Sequence, residues 1–137
     1  MSRTGTGKRG GSEAEALRRD MLVLWVRRRM VMRAGLPPGA LVFEGRRDLA
    51  RHEARARAAY LLHAACGLTF ADIARALDWH PRSVGRAVAR LEEDRDDPVF
   101  DADMADLTDE LSLLRLWLDG WVARQSPTEP DTREMAA

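Results

Sequence analysis

Four polar side chains recur on one side of the segment that follows Pro81. They are Arg82, Ser83, Arg86 and Arg90. The guanidinium group of arginine can donate two parallel hydrogen bonds to a guanine edge or to phosphate oxygens. The apolar side chains of the segment fall on its opposite face at helical spacing: Val84, Ala87, Val88 and Leu91. The pattern predicts an amphipathic helix that presents cationic donors to a polyanion.

The residues before this helix carry the signals of a second helix and a tight turn. Thr69 can cap a helix N-terminus, and Asp72 completes a weak form of the capping box. Gly67 suits the position that closes the preceding helix. Residues 78–80, Asp-Trp-His, leave room only for a turn, and Pro81 is favoured in the first turn of a helix. The whole segment predicts a helix-turn-helix, in which the second helix lies in the major groove of DNA.

An ordinary amphipathic helix pair with solvated arginines is the alternative. Lys8 is the only lysine of the chain, so arginine is abundant everywhere and its number alone indicates little. The combination of a cap, a three-residue turn, a proline at the helix start and a one-sided arginine face favours the helix-turn-helix. Gly85 and Ala89 border that face, where small side chains would let the helix approach DNA closely.

The segment 54–91 resembles the C-terminal DNA-binding domain of the bacterial replication initiator DnaA. The matching positions are Ala54, Arg55, Ala58, Tyr60, Leu61, Leu68, Thr69, Phe70, Asp72, Ile73 and Ala74, followed by Ser83, Val84 and Ala87. The resemblance implies an all-α, Trp-repressor-like fold that binds duplex DNA. The segment 78–83 is one residue shorter than the family's signature turn and lacks its Asp-His-Thr trio. The family's ATPase domain has no counterpart here, because the chain contains no Gly-rich nucleotide loop.

These observations assign roles to particular residues. We expect Arg82, Ser83 and Arg86 to contact base edges. We expect Thr69, with the N-terminus of its helix, and Arg90 to bind phosphates.

The resemblance implies two further contacts upstream. Arg55 is similar to a family arginine that contacts the DNA backbone, and Arg46 and Arg47 occupy the place of a basic loop that enters the minor groove. An ordinary solvated loop is the open alternative for Arg46 and Arg47.

The formal net charge of zero hides an asymmetry between the two parts of the chain. Residues 1–92 contain 18 Lys or Arg and 9 Asp or Glu, whereas residues 93–137 contain 4 and 13. The basic part indicates a polyanionic partner. The acidic part is expected either to face away from DNA or to fold back over the basic surface.

Five segments follow from the breaks in pattern. Residues 1–11 are polar and glycine-rich and are expected to be disordered. A helix capped by Ser12 is expected over 12–35, and the DNA-binding domain over 44–95. A packing or dimerisation helix is expected over 96–124, and a flexible tail over 125–137.

The helix in 96–124 carries apolar residues at alternating spacings of three and four. The stripe comprises Phe100, Met104, Leu107, Leu111, Leu114, Leu118 and Trp121. Such heptad spacing is typical of a coiled-coil seam. The sequence leaves two interpretations open, packing on the chain's own N-terminal helix or core, and a homodimer through Met104, Leu107, Leu111, Leu114, Leu118 and Trp121.

Other chemistries find little support in the sequence. Cys66 is the single cysteine, which excludes an internal disulfide, and we interpret it as a small core residue. His63 and Cys66 alone do not make a zinc site, so no metal and no cofactor are expected. No nucleophile and base pair is recognisable, so an enzyme is not expected. With no apolar run of membrane length, we expect a cytoplasmic, nucleoid-associated protein that regulates transcription or replication initiation. A protein-interaction module in which the helix-turn-helix serves only for packing is the alternative.

Overall fold

The protein folds as five α-helices within the parts of the chain that the structure describes. The computed structural model describes the backbone of residues 6–37 and 49–125, and the side chains from residue 13 onwards within those ranges. The helices are α1 (Thr6–Ala34), α2 (Leu49–Ala64), α3 (Phe70–Leu77), α4 (Pro81–Asp94) and α5 (Pro98–Gln125). The all-α prediction, with an added helix at each end of a helix-turn-helix core, is confirmed.

The turn between α2 and α3 uses the signals found in the sequence. Gly67 adopts a φ of 73°, a left-handed conformation that a side chain disfavours. The amide of Leu68 then donates to the carbonyl oxygen of Leu62 at 3.0 Å, which satisfies a carbonyl at the helix end. Thr69 caps α3, because its hydroxyl oxygen accepts a hydrogen bond from the amide of Asp72 at 3.1 Å.

The core is continuous from α1 through the helix-turn-helix to α5. Its largest fully buried side chains are Tyr60, Leu22, Leu61, Leu62, Ile73, Leu77, Leu91, Met104, Leu107, Leu111 and Leu118. Burying one such leucine contributes roughly 1.5–3 kcal/mol. The helix-turn-helix therefore rests on a shared core instead of standing alone.

A polar cluster fixes the end of α4 against α2 and α5. The Tyr60 hydroxyl donates to Glu92 Oε2 at 2.8 Å and accepts from Arg95 Nη1 at 2.9 Å. Arg95 also pairs with Asp101 at the start of α5. Burial and the hydrogen bond to Glu92 raise the pKa of Tyr60. The cluster joins three helices through one buried hydroxyl.

Helix α1 begins earlier than the sequence pattern indicates. The predicted cap at Ser12 lies inside the helix, which starts at Thr6. Residues 6–11 therefore belong to α1, although they were expected to be disordered. Once a helix is anchored by packing, each added residue gains one backbone hydrogen bond, so it can extend past a local cap signal.

Helix α5 packs lengthwise on α1 within the same chain. The stripe residues Met104, Leu107, Leu111 and Leu118 are all fully buried. Their burial within a single chain favours packing on α1 over a homodimer as the role of the stripe.

A homodimer through this stripe was the other open interpretation, and intramolecular packing already covers most of the surface that it would use. Four of the six residues named for it are buried, namely Met104, Leu107, Leu111 and Leu118, while Leu114 and Trp121 are half-buried. A heptad pattern indicates a helix partner without saying whether that partner belongs to the same chain.

Ion pairs line the contact between α1 and α5. Arg18 Nε lies 2.6 Å from Asp119 Oδ1, and Arg29 Nε lies 3.1 Å from Glu110 Oε1. Arg33 pairs with Asp103. The acidic part of the chain thus neutralises arginines of α1. Within the described ranges, no helix combines the length and apolar character that a bilayer-spanning segment needs.

Candidate nucleic-acid interface

Helix α4 is positioned by the three-residue turn and by its own apolar face. Asp78 takes a left-handed φ of 51° and lets the chain reverse direction. His80 caps α4 by accepting a hydrogen bond from the amide of Arg82 at its Nδ1, 3.1 Å away. Val84 is fully buried, and so in large part are Ala87 and Leu91. These contacts fix which side of α4 faces solvent.

The solvent side of α4 carries the arginines expected to contact bases. Arg82 and Arg86 are exposed, and Ser83 between them is half-buried. Within the described residues, neither guanidinium group pairs with a carboxylate, although the chain pairs many of its other arginines. The two cations therefore remain available to an anionic ligand, and no described part of the acidic helix α5 covers them.

The N-terminus of α3 lies on the surface beside this face. Thr69 is exposed, and its hydroxyl oxygen is engaged in the cap of α3. The first amides of a helix carry partial positive charge and bind anions such as phosphate. Arg75, further along α3, pairs with Asp72 while most of its side chain is exposed. The sequence analysis did not single out Arg75, which lines a cleft between α3 and α1.

Arg55 has a clear task inside the domain. Its Nη2 donates to the carbonyl oxygens of Leu77 and Asp78, each at 2.9 Å, and its guanidinium lies 4.9 Å from the ring centroid of Trp79. The side chain thus ties α2 to the turn. The contact with the DNA backbone implied for Arg55 stays a prediction, and the structure adds a role in holding the turn.

Arg90 is held by an acid of α2. Its Nη2 lies 2.7 Å from Glu53 Oε1, and its Nη1 lies 4.0 Å from Asp94 Oδ2. A phosphate would compete with these carboxylates for the guanidinium group. The phosphate contact of Arg90 stays a prediction, and Glu53 is a neighbour that sequence spacing did not reveal.

Trp79 fills a hydrophobic position in the turn. It packs against the core and meets His52 edge to face, with ring centroids 5.6 Å apart. Gly85 has a different neighbour from the one expected. A Cβ atom there would lie 3.4 Å from Phe70 Cε2, at the short end of ordinary van der Waals contact, so Gly85 lies against Phe70 of α3. Close approach to DNA at Gly85 stays a prediction.

Two segments with predicted roles are not described by the structure. Arg46 and Arg47 lie outside the described residues, as does the tail beyond residue 125.

Cys66 is buried, and burial raises the pKa of its thiol to about 11, which fits a core residue. His63 Nδ1 lies 3.0 Å from the carbonyl oxygen of Leu68. Among the described side chains, no three metal-ligating groups cluster.

Comparison with known proteins supports the helix-turn-helix. The model of a protein family described as a homeodomain-like domain matches residues 49–100, which span α2 to the start of α5. The match contains nothing specific to DnaA. No curated protein and no solved structure matches the chain significantly. Three helices, an exposed arginine face and this match agree, so residues 49–100 are similar to a homeodomain-like helix-turn-helix domain, which suggests DNA binding.

Proposed function

We propose that this protein binds double-stranded DNA in a sequence-specific manner and thereby regulates transcription or replication initiation. The observation that carries the proposal is the free arginine face of α4. Arg82 and Arg86 project from a helix whose other side is locked into the core, and no described carboxylate neutralises them. A fixed helix with free guanidinium groups is what base readout in a major groove requires.

The contacts divide into two classes. Arg82, Ser83 and Arg86 contact base edges. Thr69 and the α3 N-terminus hold a phosphate, with Arg75 beside them, and Arg46 and Arg47 enter the minor groove. Arg90 reaches a phosphate by exchanging Glu53 for it, and Arg55 acts mainly by holding the turn.

The test is selection of bound sites from random duplex DNA, followed by affinity measurements on the selected site. Arg86→Ala is expected to cost about 1–3 kcal/mol of binding and to relax selectivity at one position. Arg86→Lys keeps the charge but loses the paired donors, so a base contact is lost and a phosphate contact is kept. Arg124→Ala, which removes the same charge at the far end of α5, is the matched control and leaves binding unchanged.

Several outcomes would overturn the proposal. No binding to duplex DNA even at low salt would favour an interaction module in which the helix-turn-helix serves only for packing. Binding without a consensus would remove sequence specificity. Equal affinities of Arg86→Ala and wild type would show that α4 does not contact bases through this residue.

A link to replication initiation is the finer part of the proposal and is supported by the resemblance of segment 54–91 to the initiator's DNA-binding domain. Its test is competition between the two proteins for the selected duplex. Competition would support the link. Failure to compete, which a different sequence preference of the shortened turn 78–83 would produce, would overturn the link and leave transcription regulation as the function.

A further inference from the structure

Eight large apolar side chains are exposed on the described parts of the two terminal helices, and six of them fall into two groups of three, apart from Met32 and Val99. On α1 they are Leu17, Met21 and Leu24, exposed by 51%, 43% and 47%. On α5 they are Leu113, Leu116 and Trp117, exposed by 73%, 72% and 57%. Each trio follows helical spacing, so each forms a stripe along its own helix. Grouped exposed apolar residues of this kind mark interaction sites.

The two stripes lie side by side. The pairs Arg18–Asp119 and Arg29–Glu110 show that α1 and α5 run antiparallel and fix their register. Counting along the helices from these pairs puts Met21 level with Trp117.

The centres of both stripes, Met21 and Trp117, face away from the helix-turn-helix domain. Val23 lines a cleft against α3, and Arg115 donates to the carbonyl oxygen of Ala65 beyond the end of α2. Met21 and Trp117 are each two residues from those positions, which turns them about 160° around their helices. Leu17, Met21, Leu113, Leu116 and Trp117 therefore share one surface of the α1–α5 pair, which we call the outer face. Leu24 lies at the edge of this face, because it also lines the cleft against α3.

The other half of the outer face is charged. On α1, Arg28 lies one heptad after Met21. On α5, Asp109 lies one turn before Leu113, and Asp106 lies three turns before Trp117. All three charged residues are exposed, and within the described residues none of them forms an ion pair. Arg18, Arg29 and Arg33 of α1, by contrast, are paired with acids of α5.

We infer that the outer face binds a second copy of this chain. A two-fold axis parallel to the helices places α1 of each copy against α5 of the other. The apolar half then meets the apolar half, and Arg28 of each copy lies nearly level with the free Asp109 of the other, with Asp106 about one turn further along. The four helices form a bundle, a common arrangement for two helical hairpins.

The charges on the outer face favour a second copy of this chain as the partner, with the two-fold axis parallel to the helices. The opposite orientation would lay apolar side chains over unpaired charges, which is unfavourable. A membrane surface would be expected to face a basic rim, whereas this face carries two free acids beside its arginine. A self-complementary face with both signs of charge fits an identical copy.

The test is the mass of the full chain in solution across a concentration series. Wild type is expected near twice 15.4 kDa. Leu116→Glu is expected to shift the mass to that of the monomer, while Leu49→Glu, the same change at an exposed leucine of α2, leaves the dimer intact. Because both positions are exposed, the helical content measured by circular dichroism remains that of wild type.

A charge exchange tests the orientation. Arg28→Glu alone and Asp109→Arg alone each place like charges opposite one another and are expected to shift the equilibrium towards monomer. The double variant restores the opposite-charge pairs and is expected to recover the dimer. Wild type that is monomeric throughout, a dimer that survives Leu116→Glu, or a double variant without recovery would each overturn the inference. None of these outcomes bears on DNA binding by α4, so the proposed function is tested separately.

Discussion

The same residue type serves opposite purposes in two regions of this molecule. On α4, Arg82 and Arg86 are exposed and have no carboxylate partner among the described residues. On α1, Arg18, Arg29 and Arg33 are each paired with an acid of α5. The difference shows that an abundance of arginine does not make a DNA-binding surface. What matters is whether the fold supplies the counter-charge itself or leaves it to a ligand.

The largest expected effect comes from weakening the packing of α5 on α1. Leu107→Ala removes a fully buried side chain from this contact and is expected to lower the free energy of unfolding by about 2–5 kcal/mol. Urea denaturation measures it. Leu49→Ala, at a leucine that is 81% exposed, is the control and is expected to have little effect. Equal losses in the two variants would contradict the packing of α5 described above.

Cys66, just after the end of α2, tests whether the core is closed to solvent at this point. Burial raises the pKa of its thiol to about 11 from an ordinary value of 9.0. The unfolded chain therefore ionises first, so stability is expected to be unaffected below pH 9 and to fall as the pH rises towards 11, by about 2 kcal/mol for this group. Denaturation midpoints at pH 8 and pH 10.5 for wild type and Cys66→Ala measure the difference. A fall of equal size in both proteins would contradict a buried thiol.

The cap that Thr69 provides for α3 tests the stability of the helix-turn-helix region. Thr69→Ala removes the acceptor of the Asp72 amide and is expected to cost about 1 kcal/mol of stability. Thr69→Ser keeps the hydroxyl and is expected to retain the cap. Thermal unfolding compares the two variants. An alanine variant as stable as wild type would show that the cap contributes little to α3.

The smallest expected effect concerns the pair Arg29–Glu110 on the surface. The hydrogen bond from Arg29 lowers the pKa of Glu110, so its contribution is present above the ordinary carboxyl pKa and is lost as the pH falls through the lowered value. Because both side chains are partly exposed, solvent screens the pair and its worth is about 0.2–1 kcal/mol. A double-mutant cycle with Arg29→Ala and Glu110→Gln, repeated from pH 7 downwards until the Glu110 carboxylate is protonated, measures it. A coupling that does not fall over this acid range would contradict this origin.

Local signals in the sequence predicted the helix-turn-helix well. Gly67, Thr69 and Pro81 act within a few residues of their own position, so each could be interpreted without the rest of the chain. The buried face of α4 followed from helical period alone. The N-cap role of His80 was missed, since histidine is not among the usual capping residues.

Long-range partners could not be predicted in the same way. Nothing around Arg90 in the sequence indicates Glu53, which lies 37 residues away, and nothing around Arg55 indicates the carbonyl oxygens of the turn. The start of α1 at Thr6 was also missed, because packing further along the helix outweighs a local cap. Each of these depends on where another helix lies.

The sequence by itself determined the period of every apolar face, the position of the turns and the side of α4 on which the arginines stand, because these depend on neighbours within one or two helical turns. Only the tertiary structure decided that the stripe of α5 packs on α1 of the same chain, and which arginines are already paired. A heptad stripe or a guanidinium group is equally suited to a partner from its own chain or from outside. The folded arrangement of the helices fixes which one it meets.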